Sequence, residues 1–170
     1  FNNAPYQYYP IGPDVGHLLG AGAAMQLGAG PQKAYQGAPV FGFTGDAGVA
    51  YSIMEFDTMT KYRIPAIMTV HNNNAWGMIT AANTVRSHHM YLFQENLRYD
   101  RIAEALGARG EYVTTPEQYT AALQRAYDAA VKDKAATLIN VQSSRQFLTN
   151  QFPPGAQPRN VEPGVTAYSH

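Results

Sequence analysis

One acidic side chain and a run of three amides stand at opposite ends of a single strand–helix–strand unit, in the stretch GDAGVAYSIMEFDTMTKYRIPAIMTVHNNNAWGM. Asp46 and Asn73 are 27 positions apart. A helix followed by a parallel strand returns the chain to the sheet edge it left. A carboxylate and amide oxygens then converge at strand C-terminal ends, where open α/β sheets take their ligands. Such oxygens suit a hard divalent cation that grips a phosphorylated ligand. The second donor, Asn73, is neutral, which fits a ligand that brings its own negative charge. A diphosphate supplies metal oxygens itself, and Mg2+ commonly takes few of its roughly six oxygens from protein. The backbone carbonyl of Ala75 is a further donor just past the asparagines. Gly45 and Gly48 allow a tight turn and close approach of backbone to ligand. The N–H groups at the helix start favour phosphate oxygens. Alternatively, Asp46 is a plain helix cap and the asparagines a plain turn; either is common alone, and the pair across one βαβ unit is less so.

The elements that must position these residues are legible in the pattern. Residues 39–44, PVFGFT, read as a buried strand, and residues 49–62 as a helix with Ile53, Phe56 and Met59 or Thr60 on one face. Pro65 precedes a second strand, AIMTVH, apolar without alternation as buried parallel strands are, and a short helix is expected to start near Trp76. Upstream, IGPDVGHLLGAGAAMQLGAG spaces Gly16, Gly20, Ala24 and Gly28 at i, i+4. That small-residue face predicts a helix lying tightly on a sheet or a twin, ended by Gly30-Pro31. Downstream, residues 99–108 read as a helix with Ile102, Ala105 and Leu106 on one face, and residues 111–113 as a short strand. A helix follows with Thr115 as cap and Pro116 in its first turn, running to about Lys132. ATLINVQ is the last strand. The alternation predicts an α/β fold, a parallel sheet flanked by helices. The domain is expected over 1–142, its start truncated. The tail, 143–170, has four prolines and is expected to act as a lid or a subunit contact.

Bulk properties narrow the function classes. The 170 residues make one ordinary domain. Lysine plus arginine equals aspartate plus glutamate, 12 against 12, so no basic field argues for nucleic acid. No apolar run spans a membrane, and FNNAPYQYYP is not a signal peptide; a cytoplasmic location is expected. The absence of cysteine excludes a thiolate metal site or nucleophile. Charged residues are only 14%, which predicts surface buried against a partner. No GxxxxGK[ST] occurs, and Gly20-Ala21-Gly22 does not complete a dinucleotide fingerprint. His88 and His89 read as surface histidines, His17 as a packing residue, and His71 as a satisfied strand-end residue. Asp14 reads as a cap, and Arg86 and Arg98 as solvated.

The stretch from GDAG to NNN resembles the cofactor-binding signature of thiamine diphosphate enzymes, GDG, a spacer, then NN. GDAGVAYSIMEFDTM and NNNAWGM look most like the branch of benzaldehyde lyase, 2-hydroxyacyl-CoA lyase and oxalyl-CoA decarboxylase, and GHLLGAGAAMQLG resembles the family's glycine-rich helix. The resemblance runs from about Pro10 to Val141 and implies the thiamine diphosphate-binding fold, with thiamine diphosphate and Mg2+ as cofactors. It implies that Asp46 and Asn73 bind Mg2+ by side chain and Ala75 by its carbonyl. Ala47, Gly48, Trp76 and Gly77 would offer backbone groups to the diphosphate. Val15 falls where an apolar residue props the cofactor into a bent shape, Pro13 near a carbonyl that accepts from the aminopyrimidine, and Met78 on the substrate pocket. Two residues depart from the pattern: Ala47 stands where the signature has glycine, and Val15 is smaller than the usual prop, so that Leu18 or Leu19 could share its job. The catalytic glutamate of the family lies in a pyrimidine-binding domain, which nothing here matches. It is expected from the rest of the polypeptide or another subunit of a homodimer or tetramer. The implied activity is a lyase or carboligase acting on small 2-hydroxyacyl substrates, including acyl-CoA thioesters. The alternatives are a 2-keto acid decarboxylase, an acetolactate synthase-like enzyme, or a non-catalytic regulatory or assembly module.

Overall fold

A computed structural model describes residues 11–28, 30–77 and 91–144. Helix α1 (Asp14–Leu27) and a 3-10 turn (Gly30–Tyr35) lead into strand β1 (Val40–Gly45). Helices α2 (Asp46–Val49) and α3 (Glu55–Lys61) precede strand β2 (Ala66–Asn72). Helix α4 (Tyr99–Ala105), strand β3 (Arg109–Val113), helix α5 (Pro116–Asp133) and strand β4 (Thr137–Gln142) complete the described chain. All strand pairs are parallel, in the order β1-β2-β4-β3. Gly45 pairs with His71 and Asn72 with Gln142, so three strands end at the same level.

Helices cover both faces. Ala66, Met68 and Val70 of β2 and Leu138 of β4 face a core shared with Val15 and Leu18 of α1, Phe56 and Met59 of α3, and Tyr99 and Ala103 of α4. Ile67 and Ile139 face the opposite way, towards Ala122, Ala126 and Ala130 of α5. This is why β2 reads as an unbroken apolar run. Burying a side chain such as Phe56 or Met59 contributes about 1.5–3 kcal/mol.

Several local expectations are revised. The single helix over 49–62 is two short helices joined by tight turns, with i to i+3 bonds such as Tyr51 N–H to Gly48 O and Ser52 N–H to Val49 O. The Ser52 hydroxyl donates to Gly12 O at 2.6 Å, a tertiary tether at that break. Ile53, Phe56 and Met59 nevertheless form the buried face. α1 ends at Gly28, left-handed at φ 61°, not at Gly30-Pro31. Its packing face is also different: Gly22 meets the sheet, where an added Cβ would lie 2.3 Å from Ile64 Cγ2, while Gly16 and Gly20 have open space. Val15 and Leu18 take the core side and turn the glycine row outward. In α4 the buried face is Tyr99 and Ala103; Ile102 is exposed. The Thr115 cap of α5 is present, its hydroxyl accepting from Gln118 N–H at 3.3 Å.

Candidate active site

Asp46 begins α2 directly beyond the end of β1 and is 3% exposed. Its two oxygens turn to different segments. Oδ1 accepts from the Ala47 N–H at 2.8 Å, and Oδ2 from the Ala75 N–H at 3.0 Å. Asn73 Oδ1 accepts from that same Ala75 N–H at 3.2 Å. One nitrogen therefore holds the carboxylate and the carboxamide oxygen side by side, although they are remote in the chain.

Burial pushes the Asp46 carboxyl above its usual value; the N–H groups of Ala75, Ala47, Asn74 and Asn73 pull it back without offsetting that cost. Among the described residues no Lys or Arg pairs with it. Burial, and then the Asp46 charge, push the Tyr99 phenol upward too. A buried carboxylate in this condition is suited to a cation. Among the described residues no three His, Asp or Glu side chains cluster as a metal set. An ion here must draw on one carboxylate, neutral oxygens and its own ligand, which is the donor chemistry of Mg2+ on a diphosphate. The donor set fits that group.

The approach is shaped by glycines. Gly48 has no room for a side chain: a Cβ would lie 2.5 Å from Thr44 Oγ1 and 2.8 Å from Asp14 Oδ2. Those two atoms are themselves bonded at 2.7 Å, so Asp14 ties the start of α1 to β1 and makes no cap bond of its own. Gly12, at φ 97°, passes under Tyr51, whose ring meets Trp76 edge-on at 6.3 Å. Gly45 faces open space.

The other expected contacts fall as follows. The Ala75 carbonyl accepts from Gly77 N–H at 2.9 Å, one of the two bonds a carbonyl oxygen can take. The N–H groups of Ala47, Trp76 and Gly77 all have internal acceptors: Asp46 Oδ1, Tyr91 O and Ala75 O. The Pro13 carbonyl accepts the first helical bond of α1, from His17 N–H at 2.8 Å. Val15 is fully buried in the main core and Leu18 nearly so, leaving the half-buried Leu19 as the more open apolar neighbour. Met78, Arg86, His88 and His89 lie outside the described residues, as does the tail from 145. His17 is exposed and so is not the packing residue expected, while His71 stands next to the end of β2 with its side chain exposed.

Arg98 is not merely solvated. Its guanidinium pairs with Asp100 at 2.5 and 2.9 Å and lies 4.1 Å over the Tyr112 ring. Composition and spacing also missed Asn140, fully buried in β4 and bonded to Asp100 Oδ1 at 3.1 Å. An amide in the middle of the apolar run LINV was the available signal.

The chain matches the family model described as "Thiamine pyrophosphate enzyme, C-terminal TPP binding domain" over residues 2–141. Among curated proteins it is 32% identical over 124 residues to 2-hydroxyacyl-CoA lyase 2 of Caenorhabditis elegans, covering 65% of this chain and 18% of that protein. It is 27% identical over 159 residues to the acetolactate synthase large subunit of Haemophilus influenzae, covering 88% of this chain and 27% of that one. The chain thus spans about a fifth to a quarter of the length of these relatives. Among solved structures, the thiamine diphosphate-dependent 4-hydroxybenzoylformate decarboxylase of Rhodococcus jostii RHA1 is similar with a TM-score of 0.52 and 28% identity, over 62% of this chain and 20% of that one. With the parallel sheet and the Asp46–Asn73 convergence, the match over residues 2–141 makes this chain a member of the thiamine pyrophosphate enzyme family, as its C-terminal cofactor-binding domain, in which thiamine diphosphate is held through Mg2+.

Proposed function

We propose that this chain is the diphosphate- and metal-holding half of the active site in a thiamine diphosphate-dependent C–C lyase or carboligase that acts on 2-hydroxyacyl substrates, CoA thioesters among them. The single observation that carries the site is the shared Ala75 N–H, which holds Asp46 Oδ2 and Asn73 Oδ1 at 3.0 and 3.2 Å. The Asp46 carboxylate, the Asn73 amide oxygen and the Ala75 carbonyl would hold the Mg2+. Gly45, Ala47 and Gly48 on one side, and Trp76 and Gly77 on the other, form the walls against the diphosphate. Where an N–H there already has an internal acceptor, binding exchanges that bond for one to phosphate oxygen. When bound, thiamine diphosphate supplies the carbanion and electron sink that let a bond beside a carbonyl break. The protein's part is to fix the cofactor's charged end and exclude water around it. Behind the site, Val15 and Leu18 anchor the start of α1 in the core, Asp14–Thr44 and Ser52–Gly12 hold the Pro13 turn, and the half-buried Leu19 is the apolar side chain left more open. Met78 is assigned to the substrate pocket from its place in the motif.

The 2-hydroxyacyl assignment is supported by the YSIMEFDTM and NNNAWGM resemblance and by the 32% identity to a 2-hydroxyacyl-CoA lyase. The similarity to an acetolactate synthase and to a benzoylformate-type decarboxylase favours 2-keto acids as the second reading. Assaying the complete enzyme with 2-hydroxyacyl-CoA and with 2-keto acids separates them. Cleavage of the first is expected; turnover of 2-keto acids alone would move the enzyme to the second class. The complete assembly completes the site with a pyrimidine-binding domain and its glutamate, from the same polypeptide or another subunit of a dimer or tetramer. Calorimetry with cofactor and Mg2+ tests a non-catalytic module, which would show no saturable binding. Removal of the tail from Phe147 onward is expected to raise KM or lower turnover if 143–170 serves as a lid.

A further inference from the structure

The three consecutive asparagines divide into two tasks. Asn73 turns towards Asp46, whereas Asn72 and Asn74 turn to the segment that returns over the site. Asn72 is fully buried; its Nδ2 donates to Leu97 O at 2.8 Å, and its Oδ1 accepts from Asn74 N–H at 3.0 Å. Asn74 is 4% exposed and left-handed at φ 55°, and its Oδ1 accepts from Leu97 N–H at 3.1 Å. Both backbone groups of Leu97 are thus read by asparagine side chains. Asn140 Nδ2 adds a third hold on Leu97 O at 3.2 Å and reaches Asp100 Oδ1, which Arg98 grips. The same returning segment pairs with the metal-side turn through its backbone: Phe93 N–H donates to Asn74 O and Trp76 N–H to Tyr91 O, both at 2.8 Å.

Resting on the Proposed function reading of Asp46 and Asn73, we propose that Asn74, with Asn72 and Asn140 behind it, is a positioning residue for the cation: by clamping Leu97 it fixes the left-handed turn that aims the Asn73 amide oxygen and the Ala75 carbonyl at the ion. A left-handed residue between two metal donors has few backbone alternatives that keep both oxygens on one side, and non-glycine residues hold that conformation only when their surroundings support it. Asparagine tolerates it best, and its side chain here supplies the support. Asn73 cannot help, since its own amide oxygen is committed to the site.

The test is Mg2+ or Mn2+ affinity in the full-length enzyme, with thiamine diphosphate present, by calorimetry and by the Mn2+ electron paramagnetic resonance signal. Asn74→Gly keeps the left-handed backbone available and removes only the Leu97 bond. It is expected to weaken the metal about tenfold, one hydrogen bond's worth, and to broaden the Mn2+ signal. Asn74→Asp, which still accepts from Leu97 N–H, is expected to restore most of the affinity. If Asn74→Gly does not fold, Asn140→Ala, remote from the ion, serves instead and is expected to weaken the metal about threefold through Leu97. Wild-type affinity and an unchanged Mn2+ signal in a folded Asn74→Gly or Asn140→Ala enzyme would overturn the clamp while leaving the metal site standing. Absence of metal-dependent cofactor binding in the wild type would overturn the Asp46–Asn73 reading itself, and the clamp with it.

Discussion

At the residue scale, carboxylates of one type serve opposite ends. Burial lifts the Asp46 carboxyl, and only backbone N–H groups oppose the lift. Burial lifts Asp100 as well, but its bonds to Arg98 and Asn140 outweigh that and hold it below the ordinary 3.8. Asp46 is therefore a buried carboxyl with no Lys or Arg partner among the described residues, while Asp100 is a finished ion pair. Because Asp100 is depressed in the folded state, its contribution to stability is present above pH 3.8 and is lost as pH falls through the folded value. Arg98→Met should cost about 1–2 kcal/mol near neutral pH, a figure kept low because the Arg98 side chain is 37% exposed. Urea melts across pH should show that deficit shrinking below pH 3.8. A deficit that stays constant or grows in acid would mean that the pair is not what Arg98 contributes. The convergence of Asp46 and Asn73 was readable in the sequence because both stand at strand ends and the parallel topology fixes where those ends go. The roles of Asn72, Asn74 and Asn140 were not. Each depends on Leu97, a residue 23 to 43 positions away whose contribution is its backbone and not its side chain.

At the scale of elements, periodicity located the strands and the apolar faces, but tertiary contacts decided how helices pack. The glycine row of α1 illustrates this. The i, i+4 spacing predicted a close contact at Gly16 and Gly20, yet Val15, Leu18 and Gly22 occupy the buried side. Small residues permit close approach wherever they lie; they do not say on which side the neighbour stands. Gly22→Ala should destabilise by about 1–3 kcal/mol, because its methyl would press on Ile64 Cγ2 and Val40 Cγ2. Thr115→Ala should cost about 1 kcal/mol through loss of the α5 cap. Thermal melts of the two variants test both figures; a neutral Gly22→Ala would show that α1 can slide away from the sheet at little cost. The break between α2 and α3 was equally hidden. It coincides with the Ser52 hydroxyl's bond to Gly12 O, a partner 40 residues upstream.

At the scale of the molecule, the low charge content has a structural counterpart. Strand β1 is an edge among the described strands, and Phe41 and Phe43 on it are 48% and 62% exposed. Phe41 stacks on Tyr127 of α5 at 6.4 Å, while Phe43 extends the same apolar strip. An exposed apolar edge strand invites association. The chain expressed alone should self-associate, and Phe43→Ser should reduce that association in light scattering without shifting the far-ultraviolet spectrum. Equal scattering from both proteins would place the sticky surface elsewhere. Among the described residues no helix is long and apolar enough to cross a membrane.

Titration of the full-length enzyme with thiamine diphosphate, with and without Mg2+, tests the central claim most directly when wild type is set beside Asp46→Ala and Asn73→Ala. Saturable, Mg2+-dependent binding is expected in the wild type. A loss of about a hundredfold or more is expected in Asp46→Ala, where the anionic ligand proposed for the metal disappears, with a smaller loss in Asn73→Ala. Wild-type affinity in a folded Asp46→Ala enzyme would contradict the account.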